Sequence, residues 1–324
     1  MVTLAAIAVL APSMGKASPN AITVTLTKVE EALRPIALAA APSGSRFVAA
    51  MEDGSIRIID AKTRQTVKVL TKHPDPAYGV AWSQDGSLVA TGDEKARIYV
   101  ENILNGKMEH SYRTHTRGIQ KLSFNSTRQY LISTGKDDFV KVYDLSSKKT
   151  KESCSIAGHG LNFYGATFHP KAPYIFAVGD LGAGGEILDA RNGKLSNFIV
   201  GHDNQGIYDI AYNPSGSRYV SAGRDGTAIL WDVKTQKKIG TLKGHKDWVM
   251  DTAFSSNGNL IATSSTDGTV KVWNAYTLQK VADLPHQTFI GSPICFTADG
   301  SSLITVNDAG NLEFNTIKPS QTPE

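Results

Sequence analysis

The eight histidines are where a hypothesis of enzymatic or metal chemistry starts, because imidazole exchanges protons near neutral pH and ligates transition metals. Six of them, His73, His115, His159, His202, His245 and His286, occupy one recurring position along the 324 residues. One catalytic centre needs one constellation rather than six, so this histidine belongs to a repeat. His110, beside Glu109, and His169, before Pro170, are left over and read as solvated surface groups. The sequence holds no haem-attachment or zinc spacing of Cys and His, no EF-hand loop and no Gly-x-Ser-x-Gly elbow. Gly182 to Gly185 comes nearest to a phosphate-binding loop, but it precedes no helix and reads as a turn between two strands. The acidic residues scatter one or two per repeat, with no close pair whose pKa values would split into an acid and a base. No catalytic, metal-ligating or cofactor-binding residue is therefore assigned. Cys154 and Cys295 read as two buried thiols rather than a disulfide. Asn125-Ser126-Thr127 matches a glycosylation sequon, which has meaning only in a secreted eukaryotic protein.

The repeat that carries the histidine is clearest in one line. It runs through Gly244-His245, Trp248 to Phe254, Asn257-Gly258, Leu260-Ile261-Ala262 and Asp267-Gly268-Thr269-Val270-Lys271-Val272-Trp273-Asn274. The copy before it holds Gly201-His202, Ile210-Ala211-Tyr212 and Asp225-Gly226-Thr227-Ala228-Ile229-Leu230-Trp231-Asp232. The Trp position is filled in turn by Ile59, Tyr99, Tyr143, Leu188, Trp231, Trp273 and Phe314, at spacings of 40, 44, 45, 43, 42 and 41. Six residues earlier stand Asp53, Asp93, Asp137, Asp225, Asp267 and Asp308; Asp180 sits eight before Leu188, which implies a longer turn there. The period-two alternation around Val270 and Val272 is that of a sheet strand. Pairs such as Asp85-Gly86, Ser215-Gly216, Asn257-Gly258 and Asp299-Gly300 supply the positive φ of hairpin turns.

These lines resemble the WD repeat, and seven copies cover residues from about 22 to 315. The resemblance implies an all-β fold, a seven-bladed β-propeller with four-stranded antiparallel blades. One domain over residues 18–317 then replaces the two that length alone suggests. Residues 318–324 are polar and proline-rich and are expected to form a disordered tail. Ile22 to Thr27 alternates cleanly, and this N-terminal strand is expected to complete the last blade. In WD-repeat proteins the histidine joins a Ser or Thr, the turn Asp and the Trp in a hydrogen-bonded network. By resemblance, His202–Ser221–Asp225–Trp231 and His245–Thr263–Asp267–Trp273 are complete networks, and His115–Ser133–Asp137–Tyr143 is a partial one. Their role is to satisfy buried polar groups and lock a loop to its blade.

With catalysis set aside, the resemblance directs attention to the propeller face around the central channel. One residue per blade lines that rim: Ile36, Tyr78, Gln120, Tyr164, Tyr208, Met250 and Ser292. Tyr and Met are favoured at interface hot spots. The residue before each turn Asp lies further out: Glu52, Gly92, Lys136, Gly179, Arg224, Thr266 and Asn307. Tyr78, Gln120, Tyr164, Tyr208 and Met250 with Lys136 and Arg224 form an expected partner-binding face, suited to an acidic or phosphorylated peptide or a carboxylate. The implied function is a non-catalytic scaffold that binds a protein or peptide. The alternative is an enzyme-type propeller, lactonase-like or quinoprotein-like, with a metal or cofactor held by carboxylates in the channel. The rim column holds no carboxylate.

Composition narrows the partners. The net charge of +4 is dispersed rather than gathered into a basic stripe, which speaks against nucleic acid. No apolar run reaches the roughly 18 residues of a membrane span. Leu4 to Ala11 is an apolar run followed by small and polar residues ending in Gly15-Lys16-Ala17 before Ser18, so residues 1–17 resemble a secretory signal peptide. If they are removed the protein is periplasmic or secreted; otherwise it is cytoplasmic. A monomer, or one subunit of a hetero-complex, is expected.

Overall fold

The computed structural model describes residues 22–30, 34–147, 154–157, 162–179, 184–190, 192–203, 206–285 and 293–319. The leader expected over residues 1–17, His159, His286, Asp180 and Ser292 lie outside the described residues. Among those described, 28 strands form seven four-stranded antiparallel sheets. The first strand of each sheet is innermost: Pro35–Ala40, Ala77–Trp82, Ile119–Phe124, Phe163–Phe168, Ile207–Tyr212, Val249–Phe254 and Cys295–Phe296. Each packs against the next, and the last packs against the first, so seven blades close a ring.

A blade cannot bury both of its faces alone. The apolar side chains therefore form clusters between neighbouring blades. Phe47, Ile59, Ile304 and Phe314 join blades 1 and 7, for example, and Phe176, Tyr219, Ile229 and Trp231 join blades 4 and 5. Fully buried groups such as Tyr143, Phe163 and Phe176 each contribute about 1.5–3 kcal/mol. Gly185 belongs to this packing, which corrects its assignment to a turn. It lies in the strand Gly184–Asp189, where a Cβ would come within 2.3 Å of the Phe176 ring.

Closure uses both ends of the chain. Ile22–Glu30 runs antiparallel to Leu312–Pro319 and forms the outer strand of blade 7. The pairing Thr23↔Lys318 and Ile22↔Pro319 draws residues 318 and 319 into the sheet, so the expected tail begins no earlier than residue 320. Polarity and a proline at the very end of a strand are tolerated once a partner strand satisfies the backbone.

Candidate functional site

Two buried polar systems dominate the propeller. The first repeats around the ring. In blade 5, His202 Nδ1 donates to Asp225 (3.0 Å), Ser221 donates to Nε2 (2.8 Å), and Trp231 Nε1 donates to Ser221 Oγ (2.9 Å). Blade 6 repeats the geometry with His245–Asp267 at 3.1 Å, His245–Thr263 at 2.8 Å and Trp273–Thr263 at 2.9 Å. The carboxylate accepts only, so it fixes the proton on Nδ1, and Nε2 then accepts from the hydroxyl. In blade 3, His115 meets Asp137 at 2.7 Å and Ser133 at 2.6 Å, and the Tyr143 hydroxyl stands 3.1 Å from Ser133. At Gly223 and Gly135 a Cβ would lie 2.1 and 2.3 Å from the imidazole Nδ1, so the absence of a side chain makes room for the ring.

Electrostatics follow from enclosure. Burial disfavours ionisation of Asp225, but the bonds from His202 and Thr227 outweigh it and hold the carboxyl well below the usual range. Burial pushes His245 down, against the pull of Asp267.

A further chain, His73–Thr91–Asp93, sits in blade 2, with bonds of 2.7 and 3.0 Å. Here the ladder corrects the repeat alignment. Tyr99 pairs with Thr91 and stacks on His73 at 4.3 Å, whereas the Trp position, opposite Val89, is taken by Glu101. In blade 7 the position belongs to Asn315, opposite Leu303, and not to Phe314; Asn315 Nδ2 donates to Thr305 at 3.0 Å. With these two changes the Trp positions fall 42, 42, 45, 43, 42 and 42 residues apart. His169 is also corrected. It is not a solvated group, since Nε2 donates to Gly216 O (2.9 Å) and Nδ1 accepts from Lys171 N (3.0 Å), tying blade 4 to blade 5. His110 is half-buried and stacks on Tyr112.

The rim shares one local cause. In six blades the inner-strand ladder skips one residue, and that residue is Ile36, Tyr78, Gln120, Tyr164, Tyr208 or Met250. A bulge leaves its residue unpaired and re-aims its side chain. All six are half-buried. The structure brings Tyr164 and Tyr208 together at 5.0 Å and adds Trp248, 5.8 Å from Tyr208, which the column alignment missed. Arg224 lies over Trp248 at 4.3 Å, and Lys136 lies over Tyr78 at 5.0 Å. Gln120 and Met250 stand at their bulges outside these ring contacts.

Further out, a recurring backbone bond to the residue two before the bulge marks the second column. Glu52 N donates to Arg34 O, Glu94 to Pro76, Lys136 to Gly118, Arg224 to Gly206 and Thr266 to Trp248. Blade 2 therefore presents Glu94 and not Gly92, which packs beneath Ile119. Burial, together with Glu94 and Glu52, pushes the Tyr78 phenol up. This column is acidic at blades 1 and 2, with Glu52 and Glu94, and basic at blades 3 and 5, with Lys136 and Arg224.

The second polar system crosses the channel. Lys121, on the inner strand of blade 3, donates to Asp209 of blade 5 (2.8 Å) and to Asp251 of blade 6 (3.4 Å). Blades 3 and 5 are not neighbours, so this reach spans the centre of the ring. Asp209 also accepts from Thr252 N (3.1 Å), and Asp251 accepts from Ile294 N of blade 7 (2.9 Å). The expectation of no close acidic pair is thereby overturned, because the packing of blade 5 on blade 6 joins carboxylates that stand 42 residues apart in the chain. Burial pushes Asp209 up to about 7 against the pull of Lys121. Burial also opposes the Lys121 charge, but the two carboxylates outweigh it and hold the ammonium above its usual range. Among the described residues no group of three His, Cys, Asp or Glu is placed to hold a metal ion.

Seven four-stranded blades, repeated His–Ser/Thr–Asp chains and a rim built on strand bulges define a propeller of the repeat-built kind. Residues 64–100, 106–144, 193–232 and 236–274 match the family described as WD domain, G-beta repeat. The chain carries WD repeats at these four positions. It is 25% identical over 197 residues to cleavage stimulation factor subunit 50 of Arabidopsis thaliana, covering 56% of this chain and 46% of that one. It is 27% identical over 211 residues to the angio-associated migratory cell protein of Canis lupus familiaris, covering 60% and 47%. A third similarity, 26% over 196 residues, is to U3 small nucleolar RNA-associated protein 15 of Saccharomyces cerevisiae, covering 57% and 36%. Each match spans less than half of the relative's length.

Proposed function

We propose that the protein is a non-catalytic scaffold that binds a protein or peptide segment on its channel face. The observation that carries this is the contiguous group Tyr164, Tyr208, Trp248 and Arg224, in which the two tyrosines stand at inner-strand bulges. Aromatic rings bury large area at low entropic cost, and Arg supplies a planar fork for a carboxylate or phosphate. The partner segment carries an acidic or phosphorylated residue for the Arg224 side. Similarity to a subunit of a cleavage factor supports a place in an assembly. Asp209 and Asp251 are engaged by Lys121 and by backbone amides, which favours a binding face over the enzyme-type alternative.

The test uses a fluorescent peptide pool carrying one Asp, Glu or phosphoserine, titrated against the full chain. The combined variant Tyr164→Ala, Tyr208→Ala, Arg224→Ala is expected to bind at least about tenfold more weakly. Undiminished binding by a variant that melts normally places the partner elsewhere on the molecule.

A further inference from the structure

The cross-channel triad sits directly behind the rim. Gln120 precedes Lys121, Tyr208 precedes Asp209 and Met250 precedes Asp251, so three of the six bulged residues are each followed by a member of the triad. At the same step of the repeat blades 1, 2 and 4 carry Ala37, Gly79 and Gly165, which have no polar group to offer. The ladder is interrupted at the bulge, so its hydrogen bonds alone do not hold that residue in place. An anchor on the residue beside it therefore helps to fix the position.

We propose that Lys121, Asp209 and Asp251 form a clasp across the channel that positions the rim residues Gln120, Tyr208 and Met250. The clasp ties three inner strands to the residue that leads into a fourth, because Asp251 also takes the amide of Ile294, immediately before the strand Cys295–Phe296 in blade 7. That strand is the shortest of the seven inner strands, so it gains most from an added tether. The Asp209 side chain keeps 4% exposure and the Lys121 side chain 39%, so the carboxylate is the more enclosed partner. Asp209 faces Lys121 from blade 3 and Asp251 from blade 6, and Asp251 acts in turn on the buried Cys295 of blade 7. Loss of the amine leaves two carboxylates facing each other with no cation. They then repel or take up protons, and in both cases the residues bonded to them shift.

The inference stands whether or not the rim binds a segment, so its test is made on the free full chain. Trp248 touches Tyr208 and reports on the rim; the difference in iodide quenching between each variant and its Trp248→Phe counterpart isolates that signal. Lys121→Met is expected to lower the melting temperature by about 5–10 °C, because the buried Asp209 carboxylate is left beside Asp251 without its cation. It is also expected to change Trp248 quenching by about twofold, and Lys121→Arg is expected to recover most of both effects. The combined variant Lys121→Met, Asp209→Asn, Asp251→Asn removes every charge and is expected to melt within about 3 °C of the parent while retaining the altered quenching. Parental quenching in Lys121→Met, or in the combined variant if the single one does not fold, overturns the positioning role. An unchanged melting temperature in Lys121→Met overturns the clasp itself.

Discussion

The histidine chains of blades 2, 3, 5 and 6 and the triad in the channel are both buried polar assemblies, but they are built on different scales. Each histidine chain closes within about 30 residues, between one loop and the sheet that follows it. The triad joins residues 88 and 130 positions apart. The first has copies, so loss of one leaves the others. The second occurs once, and its loss is felt in blades 3, 5, 6 and 7 together. Repetition confines the loss of one local lock to its own blade; a contact between distant blades acts on all of them.

The comparison breaks most visibly at closure. Deletion of residues 1–30 removes the outer strand of blade 7 and exposes the edge of Leu312–Pro319. The melting temperature is expected to fall by about 10 °C or more. An unchanged transition would mean that the ring closes without that strand.

A single histidine chain should cost less. Asp225→Ala orphans His202 Nδ1 and is expected to lower stability by about 3 kcal/mol in urea denaturation, as loss of a hydrogen bond to a charged group does.

The two systems also carry opposite pH signatures. His73 and His245 are held below their usual 6.5 by burial, so their contribution is present above that value and is lost as pH falls below it. Asp209 is raised, so the folded state holds its proton more tightly than the unfolded chain does. Its contribution is present below the ordinary carboxylate value of 3.8 and is lost as pH rises toward about 7. Melting temperatures measured from pH 4.5 to 8 should therefore rise more steeply with pH in Asp209→Asn than in the parent. Equal slopes would assign the buried proton elsewhere.

The smallest effect is a gain. Asp138 holds φ 66 at the turn position where blades 5 and 6 place Gly226 and Gly268. Asp138→Gly is expected to add up to about 1 kcal/mol, read as a higher urea midpoint.

Legibility followed the same divide. The match to the family skips blade 4 between residues 144 and 193, where Leu188 stands for Trp and 180–183 lie among residues that the structure does not describe. The spacing of His202, Ser221, Asp225 and Trp231 could be read because the four side chains meet through one loop and one sheet. Tyr99 and Phe314 misled the alignment because they are aromatic; Glu101 and Asn315 stand at the Trp position in the ladder, and Asn315 bonds Thr305 as Trp231 bonds Ser221. Trp248 was visible in the repeat line, but its contact with Tyr208 depends on how blades 5 and 6 pack. A clue to the triad was present one step past the rim, where Lys121, Asp209 and Asp251 interrupt a column of small residues.

What the chain alone determined is what depends on short-range pattern: strands from alternation, turns from Asp-Gly and Asn-Gly pairs, and the number of blades from a period near 42 residues. Tertiary structure decided which residues stand opposite each other across the ladder, which side chains the bulges turn toward the rim, and that Lys121 meets two carboxylates from other blades. Period and pattern are properties of consecutive residues. A contact across the channel exists only after the first and last blades have met, because closure is what brings distant inner strands within reach of one side chain.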